Sequence, residues 1–275
     1  MYYVKADDNV KIAVYDLNAA CPKTILMIHG WPLSAKMFEY QQEFLTTHGY
    51  RVVTIDLRGF GNSDVRACGY TYNQMASDVN QVVRALKLNN FVLLGFSMGG
   101  AIAARYMARY HGYGVKKLCL CAAALPSFTQ RPGIPFGKSR QEANALINLA
   151  KEDRPQLCEN FSRELLYSPH SDAVRDWFRL LALSASGIAT IRCGYSLRDE
   201  DSRSDLPKIH VPTGIFHGKQ DDIVPYALAE MTHEFIPHSV LYPFENSSHG
   251  IVYDELQIFN HTLLEFLNCP LKKTA

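Results

Sequence analysis

The sequence predicts the α/β class: a mostly parallel sheet covered on both faces by helices. Three observations carry this. Apolar runs alternate with segments of helical periodicity through most of the 275 residues. The runs are continuous rather than alternating, as strands buried on both faces require. The loops that follow them are rich in Gly, Asp and Ser, and such sheets build their sites at those strand ends.

Each element can be justified in order. The stretch through Asp16 alternates and carries Asp7-Asp8-Asn9 as a turn signal, so it reads as an antiparallel hairpin. Thr24 to Ile28 is a buried strand ending in His29-Gly30-Trp31-Pro32, and Lys36 to Thr47 has helical periodicity. Arg51 to Ile55 is a second buried strand, ending in Asp56-Leu57-Arg58-Gly59-Phe60-Gly61-Asn62-Ser63. Tyr72 to Leu86 is an amphipathic helix, Phe91 to Leu94 a strand, Gly100 to Met107 a helix and Val115 to Cys121 a strand. The segment from Pro126 to Arg203 breaks this rhythm. It holds a Pro-rich loop at Arg131-Pro132-Gly133-Ile134-Pro135 and then helical stretches, including Asp172 to Ser184, with no convincing strand. It reads as a helical insertion over the C-terminal edge of the sheet. Strands resume at Val211 to His217 and at Ser239 to Pro243, and a final helix runs from Tyr253 to Leu267. The expected organisation is a core of residues 1–125 and 204–275 with a helical cap over 126–203.

Composition narrows the function classes. A hydrophobic fraction of 47% with 20% charged residues is that of a soluble globular protein. A net charge of +1 gives no electrostatic case for nucleic acid or an anionic membrane. The N-terminal residues lack the basic and apolar regions of a signal peptide, and no apolar run approaches membrane-spanning length. The seven cysteines are odd in number and fit no zinc spacing, so reduced thiols in a cytoplasmic protein are expected. Cys119 and Cys121, two apart in a strand, share one face. The Gly-spaced segment from Asp56 to Ser63 lacks the Lys-Ser/Thr of a phosphate-binding loop, and Asp56 and Arg58 read as braces between loops.

The chemistry concentrates at Gly95-Phe96-Ser97-Met98-Gly99. A strand, a one-residue corner and a helix thrust the Ser97 hydroxyl out of the sheet top, and flanking glycines are needed where a side chain would strike the neighbouring strand or helix. The plainer alternative is a Gly-rich turn with Ser97 as an N-cap. Context favours the nucleophile. A serine hydroxyl needs a base to take its proton and an acid to hold that base, and the doubly wound order is Ser, then Asp, then His. The acid falls in His217-Gly218-Lys219-Gln220-Asp221-Asp222-Ile223-Val224-Pro225, where Asp221 is preferred to Asp222. The base is His249, in the polar loop Asn246-Ser247-Ser248-His249-Gly250. His217 ends a strand and reads as satisfying a local hydrogen bond. The oxyanion formed on attack needs two fixed donors: the backbone N–H of Met98, at a helix N-terminus, and that of Trp31, since Pro32 has none. His29 reads as a structural loop residue. Candidate pocket aromatics are Phe96, Phe128, Phe136, Tyr167, Trp177 and Phe178, which suit an apolar acyl or aryl group of modest size.

These motifs together resemble the α/β-hydrolase superfamily over nearly the whole chain, and within it the branch of aryl esterases and cofactor-free haloperoxidases (perhydrolases). The resemblance rests on His29-Gly30-Trp31-Pro32-Leu33, Arg58-Gly59-Phe60-Gly61-Asn62-Ser63, Gly95 to Gly100, His217 to Pro225 and Ser248-His249-Gly250. It implies an α/β-hydrolase fold with an eight-stranded-type sheet, and chemistry that uses neither metal nor organic cofactor. It also implies a serine carboxylesterase acting on small acyl or aryl esters through an acyl-enzyme, with peracid formation from hydrogen peroxide as a second or main activity. A proline at position 32 goes with the perhydrolase-type members, whereas Gly100 stands where haloperoxidases often carry Thr. Dehalogenases and epoxide hydrolases of this fold need a carboxylate where Ser97 stands. Carbon–carbon hydrolases, hydroxynitrile lyases and a non-catalytic ligand receptor stay open as alternatives. The expected partner is a small-molecule ester, with no nucleic acid and no membrane insertion. Nothing in the pattern argues against a homo-oligomer.

Overall fold

The apolar runs become strands β1 (Tyr2–Lys5), β2 (Lys11–Leu17), β3 (Lys23–Ile28), β4 (Tyr50–Ile55), β5 (Phe91–Phe96), β6 (Val115–Cys121), β7 (Thr213–Gly218) and β8 (Val240–Phe244). These positions come from a computed structural model, which describes residues 1–270. The strands form one sheet in the order β1-β2-β4-β3-β5-β6-β7-β8. β1, β2 and β4 pair antiparallel, and every neighbour from β4 to β8 is parallel. The register sets Ile28 beside Gly95, Phe96 beside Cys121, and Cys121 beside Phe216. The ends of β3, β5, β6 and β7 therefore open at one rim.

Helices α1 (Glu39–Thr47), α2 (Tyr72–Ala85), α3 (Met98–Arg109), α4 (Arg140–Glu152), α5 (Arg154–Glu164), α6 (Asp172–Leu183), α7 (Gly187–Asp199), α8 (Tyr226–Phe235), α9 (Ile251–Asp254) and α10 (Leu256–Asn268) complete the chain. Successive side chains of each strand point to opposite faces of the sheet, and that divides the core. Leu26, Ile28, Val53, Leu93, Leu118 and Leu120 pack with Val79 and Val82 of α2 and Ile102 of α3. Ile25, Met27, Val52, Val92, Leu94, Cys119 and Cys121 pack with Leu45 of α1 and Phe259, Leu263 and Phe266 of α10. Cys119 and Cys121 do share one buried face, and all seven cysteines are free thiols.

The structure refines three expectations. β7 starts at Thr213 rather than Val211, because Pro212 has no N–H to give the ladder. The helix expected from Lys36 opens with a tight turn over Ala35–Phe38 before α1. The final helix is two helices, broken at Glu255, whose φ is −117° and ψ 51°. The break frees the Glu255 carboxylate to turn back and accept from the Asn246 N–H and the Ser247 hydroxyl. Between 126 and 203 the only β-type pairings are two isolated bridges. No single helix among the described residues is long and apolar enough to cross a membrane.

Two buried polar side chains brace the sheet. Lys117 of β6 donates to the carbonyls of Phe266, Leu267 and Cys269 at 2.7, 3.0 and 2.6 Å. Its ammonium caps the carbonyl end of α10, where unpaired acceptors and the helix dipole favour a cation. His29, at the tip of β3, is buried; its Nδ1 donates to the Gly30 carbonyl at 2.8 Å and its Nε2 accepts from the Leu57 N–H at 2.9 Å. Burial holds this imidazole below the ordinary histidine pKa, against the pull of the Asp56 carboxylate.

Lys117→Met removes the ammonium shared by the Phe266, Leu267 and Cys269 carbonyls, and an unfolding free energy lower by about 1–3 kcal/mol is expected in denaturant titration. His29 gives a pH signature. Its folded-state pKa is depressed, so the unfolded chain binds the extra proton. The stability it contributes is present above the unfolded value of about 6.5 and falls below it, by at most about 1.4 kcal/mol per pH unit. Denaturant midpoints between pH 7 and 5 should show a smaller decline in His29→Gln than in the native chain.

Candidate active site

Ser97 stands at the corner between β5 and α3 with φ 53° and ψ −120°. A non-glycine residue in that region is strained, and the strain persists only where the surroundings enforce it. They do. A Cβ built on Gly95 would lie 2.3 Å from the Gly99 carbonyl oxygen, and one on Gly99 would lie 2.4 Å from that of Ile28. Glycine at both positions lets α3 close down on the sheet, and the corner cannot relax. The Ser97 N–H donates to the Cys121 carbonyl at 2.9 Å, and its own carbonyl accepts from Ala124 at 3.1 Å. The loop after β3 presses against this corner: a Cβ on Gly30 would lie 2.7 Å from the Ser97 Cβ.

Asp221 is buried in the turn after β7. Its Oδ1 accepts from the N–H groups of Ile223 and Val224 at 2.9 and 2.8 Å. Its Oδ2 accepts from His249 Nδ1 at 2.8 Å, and His217 Nε2 lies 3.2 Å away. Burial alone would raise this carboxyl. The charge of His249 and the hydrogen bonds from His217 and His249 overcome that and hold it well below the usual carboxylate range. His217 was expected to satisfy a local bond, and its Nε2 donates to the Val224 carbonyl at 2.7 Å. Its second approach, to Asp221, was not foreseen. The four-residue spacing from His217 across the turn was the available signal.

His249 is buried in the loop between β8 and α9. The Asp221 contact fixes the proton on Nδ1, since a carboxylate can only accept. That leaves Nε2 as the basic nitrogen, and Nε2 is buried with no hydrogen-bond partner. The ring packs on Phe96, the residue before Ser97, with centroids 5.0 Å apart. Among the described residues, no hydrogen bond uses the backbone N–H of Trp31 or of Met98. Met98 opens α3, where the first amides have no partner within the helix.

Ser97 and Trp31 line a cavity of about 290 Å³. Of the six candidate pocket aromatics, Phe128 lines it as well. The structure places the others elsewhere. Phe96 is buried against His249, and Phe178 lies in the core with its ring edge-on to Tyr253. Phe136 and Tyr167 are exposed. Trp177 packs edge-on against Tyr40 and lines a separate surface groove with Leu180 and Leu181. Most of the cavity wall instead comes from two helices and mixes aliphatic with polar side chains. Glu142, Ala145, Leu146 and Leu149 of α4 and Leu157, Asn160, Phe161 and Glu164 of α5 line it. Each set follows i, i+3, i+4, i+7, a complete helical stripe. On α4 this stripe lies beside the core stripe of Ala143, Ile147 and Ala150. The doubled stripe was the sequence signal that a search for aromatics passed over.

The fold and this geometry can be set beside known proteins. The AB hydrolase superfamily protein YisY of Bacillus subtilis is 45% identical over 267 residues, which span 97% of this chain and 99% of that one. The esterase EaEST from Exiguobacterium antarcticum superposes with a TM-score of 0.95 at 44% identity, covering 97% of this chain and 98% of its own. A bromoperoxidase from Bacillus anthracis gives a TM-score of 0.92 at 32% identity, with 96% and 98% covered. The family model described as the alpha/beta hydrolase fold matches residues 23–256, from β3 to the start of α10. Sheet order, strained corner and this match converge, and the chain belongs to the α/β hydrolase fold family.

Proposed function

We propose that this protein is a serine carboxylesterase acting on small esters, with Ser97 as nucleophile, His249 as base and Asp221 as the acid that orients it. One observation carries the reading: a buried imidazole, held through Nδ1 by a carboxylate, keeps its Nε2 unpartnered while its ring packs against the neighbour of a strained serine. A buried nitrogen with no partner costs free energy, and it persists where chemistry uses it. The esterase relative supports the same reaction class.

In this mechanism Ser97 Oγ attacks the ester carbonyl carbon while His249 Nε2 takes its proton. The Asp221 charge stabilises the imidazolium that forms. The carbonyl oxygen becomes an oxyanion, and the free N–H groups of Met98 and Trp31 receive it, aided by the N-terminal dipole of α3. Collapse returns the proton to the alcohol, which leaves, and Ser97 holds the acyl group. Water, deprotonated by His249, then attacks the acyl carbon and releases the acid. Residues 126–203 act as a cap over the 1–125 and 204–275 core. The cap's α4 and α5 stripes hold the apolar part of the substrate.

A second reading concerns the acceptor. Pro32 fixes the backbone beside the Trp31 donor, and the bromoperoxidase relative extends the comparison to peroxide chemistry. Hydrogen peroxide attacking the acyl-enzyme in place of water yields a peracid and free Ser97, with no change in electron count at the protein.

Ser97→Ala should lower turnover of p-nitrophenyl acetate by about 10⁴–10⁶-fold with an unchanged melting temperature. Undiminished activity refutes the nucleophile. Incubation with acetate and hydrogen peroxide should give peracid in the native protein and none in Ser97→Ala; a serine-independent yield removes the second reading. Leu149→Phe fills part of the cavity. Across a series of acyl esters it should spare acetate and lower kcat/KM for long acyl chains by about tenfold or more, since each methylene is worth about 1–3 kcal/mol.

A further inference from the structure

Asp254 lies five residues beyond His249, and its side chain is fully buried at the end of α9. A buried carboxylate needs donors, and the structure supplies four. Oδ2 accepts from the N–H of Ser248, the residue before His249, at 2.9 Å, and from that of Tyr167 at 2.8 Å. Oδ1 accepts from the Ser168 N–H at 3.0 Å and from His170 Nε2 at 2.9 Å. One side chain thus joins the loop carrying His249 to the segment leaving α5. Other bonds run along the same seam. The Gly250 N–H donates to the Leu165 carbonyl at 2.7 Å, the Ser248 hydroxyl to the Glu164 carbonyl at 3.1 Å, and the Ser168 hydroxyl to the Asn246 carbonyl at 2.8 Å. Glu164, at the end of this seam, lines the cavity that holds Ser97.

We propose that Asp254 is a positioning residue that locks the His249 loop to the end of α5, so that the base and the cavity wall move as one body. The proposal rests on the reading of His249 as the base. Asp221 fixes the imidazole from its Nδ1 side, but a side chain is only as well placed as the backbone that bears it. Ser248 is that backbone, and its amide is held by Asp254. A displacement of about 1 Å in a reacting group costs about 10²-fold in rate, so a small slip of this loop registers in turnover. The seam also gives substrate a route to the base: a group seated against α5 restrains the segment that Asp254 clamps.

The substitution Asp254→Asn tests this on the full chain. An amide has one acceptor oxygen, and its NH₂ would face either the Ser248 and Tyr167 donors or the Ser168 and His170 donors. One side of the clamp must open. The expected result is a fall in kcat for p-nitrophenyl acetate of about tenfold or more with KM within about threefold. Labelling of Ser97 by a phosphonate ester should slow in parallel. Amide exchange should rise together in residues 165–168 and 248–250. Native kcat, or exchange that rises in only one segment, overturns the proposal. Should Asp254→Asn not fold, His170→Leu removes one of the four donors and leaves the carboxylate. It should lower kcat about threefold at constant KM, and native kcat there is equally contrary. Ser97→Ala and His249→Ala are measured alongside. Inactivity of both with a native-like Asp254→Asn defeats only the positioning role, whereas full activity of both defeats the hydrolytic reading and the proposal with it.

Discussion

The structure is organised around a carboxylate that has been taken out of water. Asp221 is buried, and a buried charge is tolerated only when its lone pairs are occupied. Two amides of its own turn fill Oδ1, and the two imidazoles of His249 and His217 approach Oδ2. This requirement dictates the surroundings. The turn after β7 must bend so that Ile223 and Val224 point their N–H groups inward. The loop after β8 must fold back to deliver His249, whose ring then has one nitrogen committed and one in reserve. Removing any of these donors would leave charge uncompensated in a low-dielectric interior.

Much of this was legible in the sequence. Continuous apolar strands and helical periodicity gave the sheet, because burial on both faces leaves no choice of pattern. The elbow was legible because Gly95 and Gly99 are places where a Cβ would meet backbone at under 2.5 Å. Asp221 and His249 followed from chain order and from their loops. What could not be read was long-range geometry. Nothing local says that Asp254 reaches Tyr167 across 87 residues of chain. The break at Glu255 was hidden because its cause is a pair of donors in the loop before His249, while the residues themselves have helical character.

The pocket aromatics show a different failure of sequence reasoning. Large aromatic side chains suit a substrate wall and a core equally well, and here the core claimed Phe96 and Phe178, while Trp177 went to a separate surface groove. Residue type was a weaker guide than spacing. Much of the wall comes from faces spaced i, i+3, i+4 and i+7 on α4 and α5, where Leu146, Leu149, Leu157 and Phe161 stand among Glu142, Ala145, Asn160 and Glu164. On α4 the cavity-facing Leu146 and Leu149 stand beside the core-facing Ala143, Ile147 and Ala150, so the helix carries more apolar surface than core packing alone uses.

The two stripes have a consequence for how such proteins diversify. α4 and α5 lie between β6 and β7 and contribute no strand, so the leucines they point into the chamber take no part in the hydrogen-bonded ladder. Exchanging Leu146 or Leu149, both only partly buried, for larger or smaller neighbours alters the room offered to a guest without touching Ser97, His249 or the ladder beneath them. The room for a substrate can thus be altered at a few aliphatic positions while the strained corner at Ser97 stays as it is. A breeder of new variants inherits the same separation: one chassis with a replaceable chamber.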